Sequence, residues 1–81
     1  MIEIVLLWGP NNHAVEHWEE APELASWNGV LFSRRAGPRP PRGGGEPVAV
    51  YAPDELMEEE FQDLYDALQP EVPQLRLKFD S

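Results

Sequence analysis

The chain has 81 residues and is strongly acidic, with 15 acidic and six basic side chains and a net charge of −9. It contains no cysteine, which excludes a disulfide framework and any site built on a thiol. A polyanionic surface disfavours direct binding to duplex nucleic acid or anionic lipid and favours a basic partner. We therefore expect one small domain, residues 1–81, that binds a protein rather than nucleic acid or a membrane.

The first two predicted elements are a strand and a short helix. Residues Ile2–Trp8 form a nearly continuous apolar run rich in β-branched side chains, which is typical of a strand in the interior of a sheet. Within residues 12–20, apolar side chains recur at helical spacing and predict a helix that Pro22 ends. These side chains are Ala14, Val15 and Trp18.

The middle of the chain predicts two strands joined by a long basic loop. Trp27–Ser33 and Val48–Tyr51 are rich in strand-forming residues. Residues 34–47 between them contain four prolines and four glycines, so we expect a flexible loop there. Four of the six bases lie in this loop, and we expect it to be mobile and partly attracted to acidic surface. They are Arg34, Arg35, Arg39 and Arg42.

The last third of the chain predicts a helix and a final strand. Residues Asp54–Gln69 carry apolar side chains at helical spacing, which indicates one apolar stripe. The stripe consists of Met57, Phe61, Leu64 and Leu68. Residues Gln74–Asp80 then alternate between apolar and charged side chains, which is typical of a half-buried strand.

The predicted order of elements is β-α-β-β-α-β, the ferredoxin-like arrangement of an α+β fold. In that arrangement two helices cover one face of a four-stranded antiparallel sheet. The other face is open, and we expect it to carry an apolar patch suited to a partner or to homodimerisation. The side chains predicted for this patch are Val5, Leu7, Leu31 and Tyr51.

The predicted second helix has an acidic face opposite its apolar stripe. Seven of the 15 acids lie between Asp54 and Asp66, and no base lies in this segment to neutralise them. A solvated surface explains such a face, and so does a docking site for a basic partner. The acids predicted for docking are Glu55, Glu59, Asp63 and Asp66. Mimicry of a nucleic-acid backbone is a third hypothesis, although carboxylates about 6 Å apart match phosphates loosely.

Two further patterns suggest alternative sites. His13 to His17 reads H-x-x-E-H, a zinc-binding pattern when it lies on a helix, so a small enzyme or metal-binding domain is the main alternative. The tryptophans at positions 8, 18 and 27 are able to line a groove at one end of the sheet, although core packing explains them more simply.

The sequence as a whole indicates a binding protein without catalytic activity and without a cofactor. It lacks a nucleophilic triad and the phosphate-binding glycine motifs. We expect a cytoplasmic inhibitor or regulatory adaptor that binds a basic protein partner.

Overall fold

The computed structural model describes residues 1–41 and 43–76 and shows an α+β fold, a five-stranded sheet followed by one α-helix. The strands are β1 (Ile2–Gly9), β2 (Asn12–Trp18), β3 (Leu24–Trp27), β4 (Val30–Arg39) and β5 (Val48–Pro53). The helix, α1, spans Glu58–Leu68, and a 3-10 turn follows at Pro73–Arg76. The sheet order is β2-β1-β5-β4-β3, in which β1 and β5 are parallel and the other neighbours are antiparallel.

The predicted ferredoxin-like arrangement is wrong, because the segment predicted as the first helix is strand β2. This strand pairs with β1 through a two-residue loop, Pro10-Asn11. Ala14 and Trp18 are four residues apart, a spacing that fits one face of a helix and also one face of a strand. Pairing with β1 decides between the two. The prediction that β1 lies inside the sheet is confirmed, since it has neighbours on both sides.

The predicted strand Trp27–Ser33 is also wrong, because a tight turn divides it. Asn28 and Gly29 have φ angles of 50° and 77°, and they connect β3 to β4 as a two-residue hairpin. Positive φ at both positions defines the type I′ turn, for which Asn-Gly is the preferred sequence. The turn places β3 at the edge of the sheet beside β4.

Strand β4 extends into the segment predicted as a loop, so the flexible connection is shorter than residues 34–47. It follows β5 as far as Arg39. Gly37 permits this close approach, because its φ is +79° and a Cβ there would lie 2.3 Å from the carbonyl oxygen of Val48.

The helix begins four residues later than predicted, at Glu58 rather than Asp54. Residues 54–56 form a turn in which the N–H of Asp54 donates to the Leu31 carbonyl over 2.9 Å. The N–H of Met57 donates to the Glu60 carboxylate over 3.0 Å, which caps the first turn of α1. In the described part of the chain, no helix has the length and apolarity of a membrane span.

The predicted final strand, Gln74–Asp80, is wrong where the structure describes it. Residues 74–76 belong to the 3-10 turn, and residues 77–81 lie outside the described residues. Of the predicted apolar stripe, Phe61 and Leu68 are buried and Leu64 is half-buried, whereas Met57 is 67% exposed.

Both faces of the sheet are covered, and each has its own core. One core lies between the sheet and α1, and it contains Val5, Leu7, Val50, Phe61 and Leu68. The other, the inner core, collects side chains from all five strands, including Ile4, Leu6, Phe32, Tyr51, Ala14, Trp18 and Trp27. Because both edge strands contribute to the inner core, the sheet curls around it as a half-barrel.

Two adjacent arginines of β4 hold the connecting segments on opposite faces of the sheet. The register shifts between Arg34 and Ala36, so Arg35 is the extra residue of a bulge. Arg34 donates to the Ala21 carbonyl beside the inner core. Arg35 donates to the carbonyl oxygens of Pro53 and Leu56 over 2.7 and 2.9 Å, on the side of α1.

We expect Arg35→Met to destabilise the fold by about 1.5–3 kcal/mol, because two backbone carbonyls lose a charged hydrogen-bond donor. The side chain is only 11% exposed, so water does not replace that donor freely. Urea unfolding followed by tryptophan fluorescence measures the change. Arg39→Met, at an exposed base of the same strand, is the matched control and stays within about 0.5 kcal/mol of the wild type. An equal effect at both positions would contradict this role for Arg35.

Tyr51 makes stability depend on pH in the alkaline range. Its side chain is fully buried and its hydroxyl donates to the Pro22 carbonyl. Burial raises the pKa of Tyr51 above the ordinary value of 10.0, and the nearby Arg34 opposes that effect. The unfolded chain therefore loses this proton at lower pH than the folded chain. Stability from this group is complete below pH 10 and declines as pH rises through the folded-state pKa.

We predict that Tyr51→Phe lowers stability by about 0.5–1.5 kcal/mol at pH 7 through the lost hydrogen bond. Above pH 10 the wild type loses stability more steeply than the variant, so the two curves converge. Urea unfolding at a series of pH values measures both effects. Tyr65→Phe controls for the loss of a hydroxyl, since Tyr65 also donates to a carbonyl, that of Leu75, over 3.0 Å. If the free energies of unfolding of the wild type and Tyr51→Phe change in parallel above pH 10, the proposed contribution of Tyr51 ionisation is wrong.

Candidate binding site at the mouth of the half-barrel

The predicted open sheet face does not exist, because its apolar side chains are buried. Val5 and Leu7 are 0% exposed and lie beneath α1, and Tyr51 is 0% exposed in the inner core. Only Leu31 of that predicted patch is accessible, at 48% exposure beside the Asn28-Gly29 turn. The expectation of a bare sheet face is therefore wrong, since it assumed that only one face is covered.

The predicted acidic residues are all exposed, but they occupy two different elements. Glu59, Asp63 and Asp66 lie on α1, whereas Glu55 lies in the turn that precedes the helix. The last turn of α1 contains no base. Among the described residues, the ion pair on this surface joins Arg35 to Glu58 over 3.7 Å and includes none of these four carboxylates.

The basic residues do not form the mobile basic loop that the sequence predicted. Arg34 and Arg35 belong to β4, and their guanidinium groups bind backbone carbonyls of this chain. Arg39 is exposed at the end of β4, and Arg42 lies outside the described residues. Half of the predicted basic cluster is thus part of the internal framework, which leaves the described surface more acidic than composition alone indicates.

The H-x-x-E-H pattern is on a strand, so it does not form the helical metal site. His13 and His17 share one face of β2 but are four residues apart, roughly 13 Å along a strand. Glu16 points to the opposite face. His17 Nε2 lies 3.6 Å from Glu3 Oε1 and 3.9 Å from Glu46 Oε2. Within residues 1–41 and 43–76, no group of three His, Cys, Asp or Glu side chains is placed to hold a metal.

An aromatic cleft lies at the end of the half-barrel where β1 and β5 finish. We call it the mouth cleft, and its volume is about 410 Å³. It is lined by Trp8, Trp27, Asn28, Val30, Phe32, Pro53 and Glu55. Trp8 lies on the same face of β1 as Ile4 and Leu6 of the inner core, because alternate residues of a strand share a face.

Three aromatic rings in this cleft contact one another at steep angles. The ring centroids of Trp8 and Trp27 are 5.2 Å apart, and the two planes are tilted by 51°. Phe32 stands nearly perpendicular to both, with centroids 6.4 Å from Trp8 and 5.8 Å from Trp27. Phe32 is buried and Trp8 is 37% exposed, so the rings form a surface that extends from the inner core into solvent.

A second cleft of about 330 Å³ adjoins the mouth cleft. The two share Val30, Pro53 and Glu55, and the second adds the exposed Leu31 and the carboxylate of Asp54. Among the described residues, neither cleft is lined by a serine, lysine or histidine, and the titratable side chains of the two sets are the carboxylates Asp54 and Glu55. Apolar rings beside carboxylates are suited to binding a cationic group that carries hydrocarbon.

Sequence reasoning located parts of this site but not its assembly. The groove hypothesis for the tryptophans is right for Trp8 and Trp27, whereas Trp18 packs inside on Tyr51, with centroids 5.3 Å apart. The sequence signal that was missed is Asn28-Gly29, a strong hairpin motif. Reading that turn places Trp27 beside Val30 on one face of the sheet, where the cleft begins.

Comparisons with protein-family models, with curated proteins and with solved structures give no significant match to this chain. The geometry described above is therefore the basis for assigning a function.

Proposed function

We propose that this chain is a small non-catalytic interaction module that binds a basic segment of a partner protein, as an inhibitor or regulatory adaptor. The observation that carries the proposal is the separation of charge in the described residues. Arg34 and Arg35 are engaged with backbone carbonyls, while the acids from Asp54 to Asp66 are exposed. We place this activity in the cytoplasm as part of the same proposal.

Electrostatics favours a basic partner in both rate and affinity. A surface of one sign attracts a segment of opposite sign over a distance of about 8–10 Å at ordinary salt, which speeds association. Glu59 and Asp63 are a like-charge pair four residues apart on α1, which costs about 0.2–0.5 kcal/mol in the free protein. A cationic segment lying along the helix would relieve that repulsion.

The mouth cleft gives this acidic surface an apolar anchor point. Glu55 lines the cleft and lies three residues before the start of α1, so one extended segment is able to contact both. Interfaces commonly combine a buried anchor with a polar rim, and the anchor supplies most of the affinity. The exposed side chains of Trp8, Val30 and Leu31 offer such an anchor on this chain.

The other hypotheses lack comparable support. Homodimerisation through an open sheet face is not supported, because three of the four side chains predicted for that face, Val5, Leu7 and Tyr51, are buried. The metal or enzyme hypothesis depends on a helix that is strand β2. Nucleic-acid mimicry now rests on a helix of 11 residues, with Glu55 outside it.

The test is a titration of the chain with a synthetic peptide in which lysine and glycine alternate. We expect binding that weakens as salt rises, and that falls at least tenfold when Glu59, Asp63 and Asp66 are all changed to lysine. Isothermal calorimetry and fluorescence anisotropy measure it.

The matched control changes Glu19, Glu20 and Glu23 to lysine, three exposed acids outside α1. It alters the net charge by the same amount, and we expect it to retain binding within about threefold, since only residual long-range attraction is lost. Equal losses in the two triple variants, or no binding by the wild type, would overturn the proposal.

A further inference from the structure

We propose that the mouth cleft binds an arginine side chain of the partner, with the guanidinium group over the indole of Trp8 and the Glu55 carboxylate as its counter-ion. This inference rests on the proposed function, because it assumes a basic partner, and it names the group recognised. The cleft combines the three features that guanidinium recognition requires, which are a flat aromatic face, a carboxylate and a further hydrogen-bond acceptor.

The aromatic feature is the exposed part of the ring cluster. Trp8 is 37% exposed, whereas Phe32 behind it is 1% exposed, so the cluster presents tryptophan to the solvent side. Tryptophan is the best aromatic partner for a cation placed over its face. The rings of Trp8 and Trp27 contact each other with their planes tilted by 51°, so a planar group stacked on the exposed part of Trp8 meets Trp27 at an angle.

The polar features lie among the other lining residues. Glu55 is the titratable side chain of the mouth cleft, and Asp54 lines the adjoining cleft beside it. Asn28 adds an amide oxygen, which accepts a hydrogen bond. A guanidinium group has five N–H donors in one plane, so it is able to stack on a ring and donate to these acceptors at the same time.

The chain already builds a site of this kind for one of its own arginines. The guanidinium carbon of Arg35 lies 5.5 Å from the centroid of the Phe61 ring. The same group donates to two carbonyl oxygens, and its Nη1 is 3.7 Å from the Glu58 carboxylate. That set of ring, neutral acceptor and carboxylate is matched in the mouth cleft, where none of the described lining residues is basic.

The same features argue against lysine and against a quaternary ammonium group. A lysine ammonium is compact and strongly hydrated, and it does not stack as a plane. A trimethylammonium group has no N–H, so Asn28 and Glu55 would receive no hydrogen bond from it. We therefore expect the cleft to prefer guanidinium among organic cations.

The experiment uses the whole chain and capped tripeptides of the form Gly-X-Gly, followed by the indole N–H signals in nuclear magnetic resonance. X is arginine, citrulline, lysine or trimethyllysine. Citrulline has the shape of arginine without its charge. We expect arginine to shift the signals of Trp8 and Trp27 but not Trp18, and to bind about 3- to 10-fold more tightly than each of the other three peptides.

Variants locate the site. Glu55→Gln is expected to lower the affinity for the arginine peptide about threefold or more. Trp8→Leu is expected to lower it further, since each variant removes one of the two main contacts. Glu19→Gln, at an exposed acid that follows β2 and is not among the residues lining the cleft, is the matched control and leaves the affinity unchanged. Because Glu55→Gln is a surface change, it remains informative even if Trp8→Leu impairs folding.

Equal binding of citrulline, tighter binding of trimethyllysine, shifts confined to Trp18, or no saturable shift would each overturn the inference. These results are independent of the lysine–glycine titration. If only the arginine peptide fails to bind, guanidinium binding in the mouth cleft is refuted and the acidic-helix proposal stands. Failure of the lysine–glycine peptide alone would refute the acidic-helix proposal and leave guanidinium binding standing.

Discussion

The structure depends on two adjacent arginines at the bulge of β4, because each ties a connecting segment of backbone to one face of the sheet. Neighbouring side chains of a strand point to opposite faces, which allows the two arginines to reach both sides of the sheet. The bulge also bends β4 and increases its twist relative to β5. Arg34 holds the segment between β2 and β3, and Arg35 holds the turn before α1. The two cores are thus enclosed by the same short stretch of sequence.

The same constraint positions the candidate site. The carbonyls bound by Arg35, those of Pro53 and Leu56, flank the segment that carries Asp54 and Glu55. The N–H of Asp54 also donates to the Leu31 carbonyl, which connects that segment to β4. An acidic turn fixed at three points is pre-organised for a cationic ligand, because little conformational entropy remains to be lost when the ligand binds.

The parts of the fold that the sequence predicts well are those with one dominant pattern. Strands β1 and β5 are continuous apolar runs, and they are buried on both faces as parallel neighbours usually are. The amphipathic helix is right in kind, but it begins later than predicted, because the preceding turn is held by Arg35, which is 21 residues away in sequence from its partner Leu56. Residues 12–18 carry a pattern that fits two structures, and only the contact with β1 resolves it.

The candidate site was less predictable, because its parts come from strands that are not neighbours in the sheet. Trp8 lies on the inner face of β1, and the Asn28-Gly29 turn pairs Trp27 with Val30 at the edge of the sheet. The motif of that turn is visible in the sequence, whereas the contact between Trp8 of β1 and Trp27 of β3 is not. Glu55 is exposed, but it lies in the turn before α1 and not on the helix for which it was predicted. The arginines are the most misleading residues, because composition does not distinguish a cluster of exposed charges from a pair of partly buried hydrogen-bond donors such as Arg34 and Arg35. Because Arg34 and Arg35 bind backbone carbonyls, they do little to neutralise the acids from Asp54 to Asp66. The mutual repulsion of these carboxylates destabilises the free protein, and binding a cation relieves it.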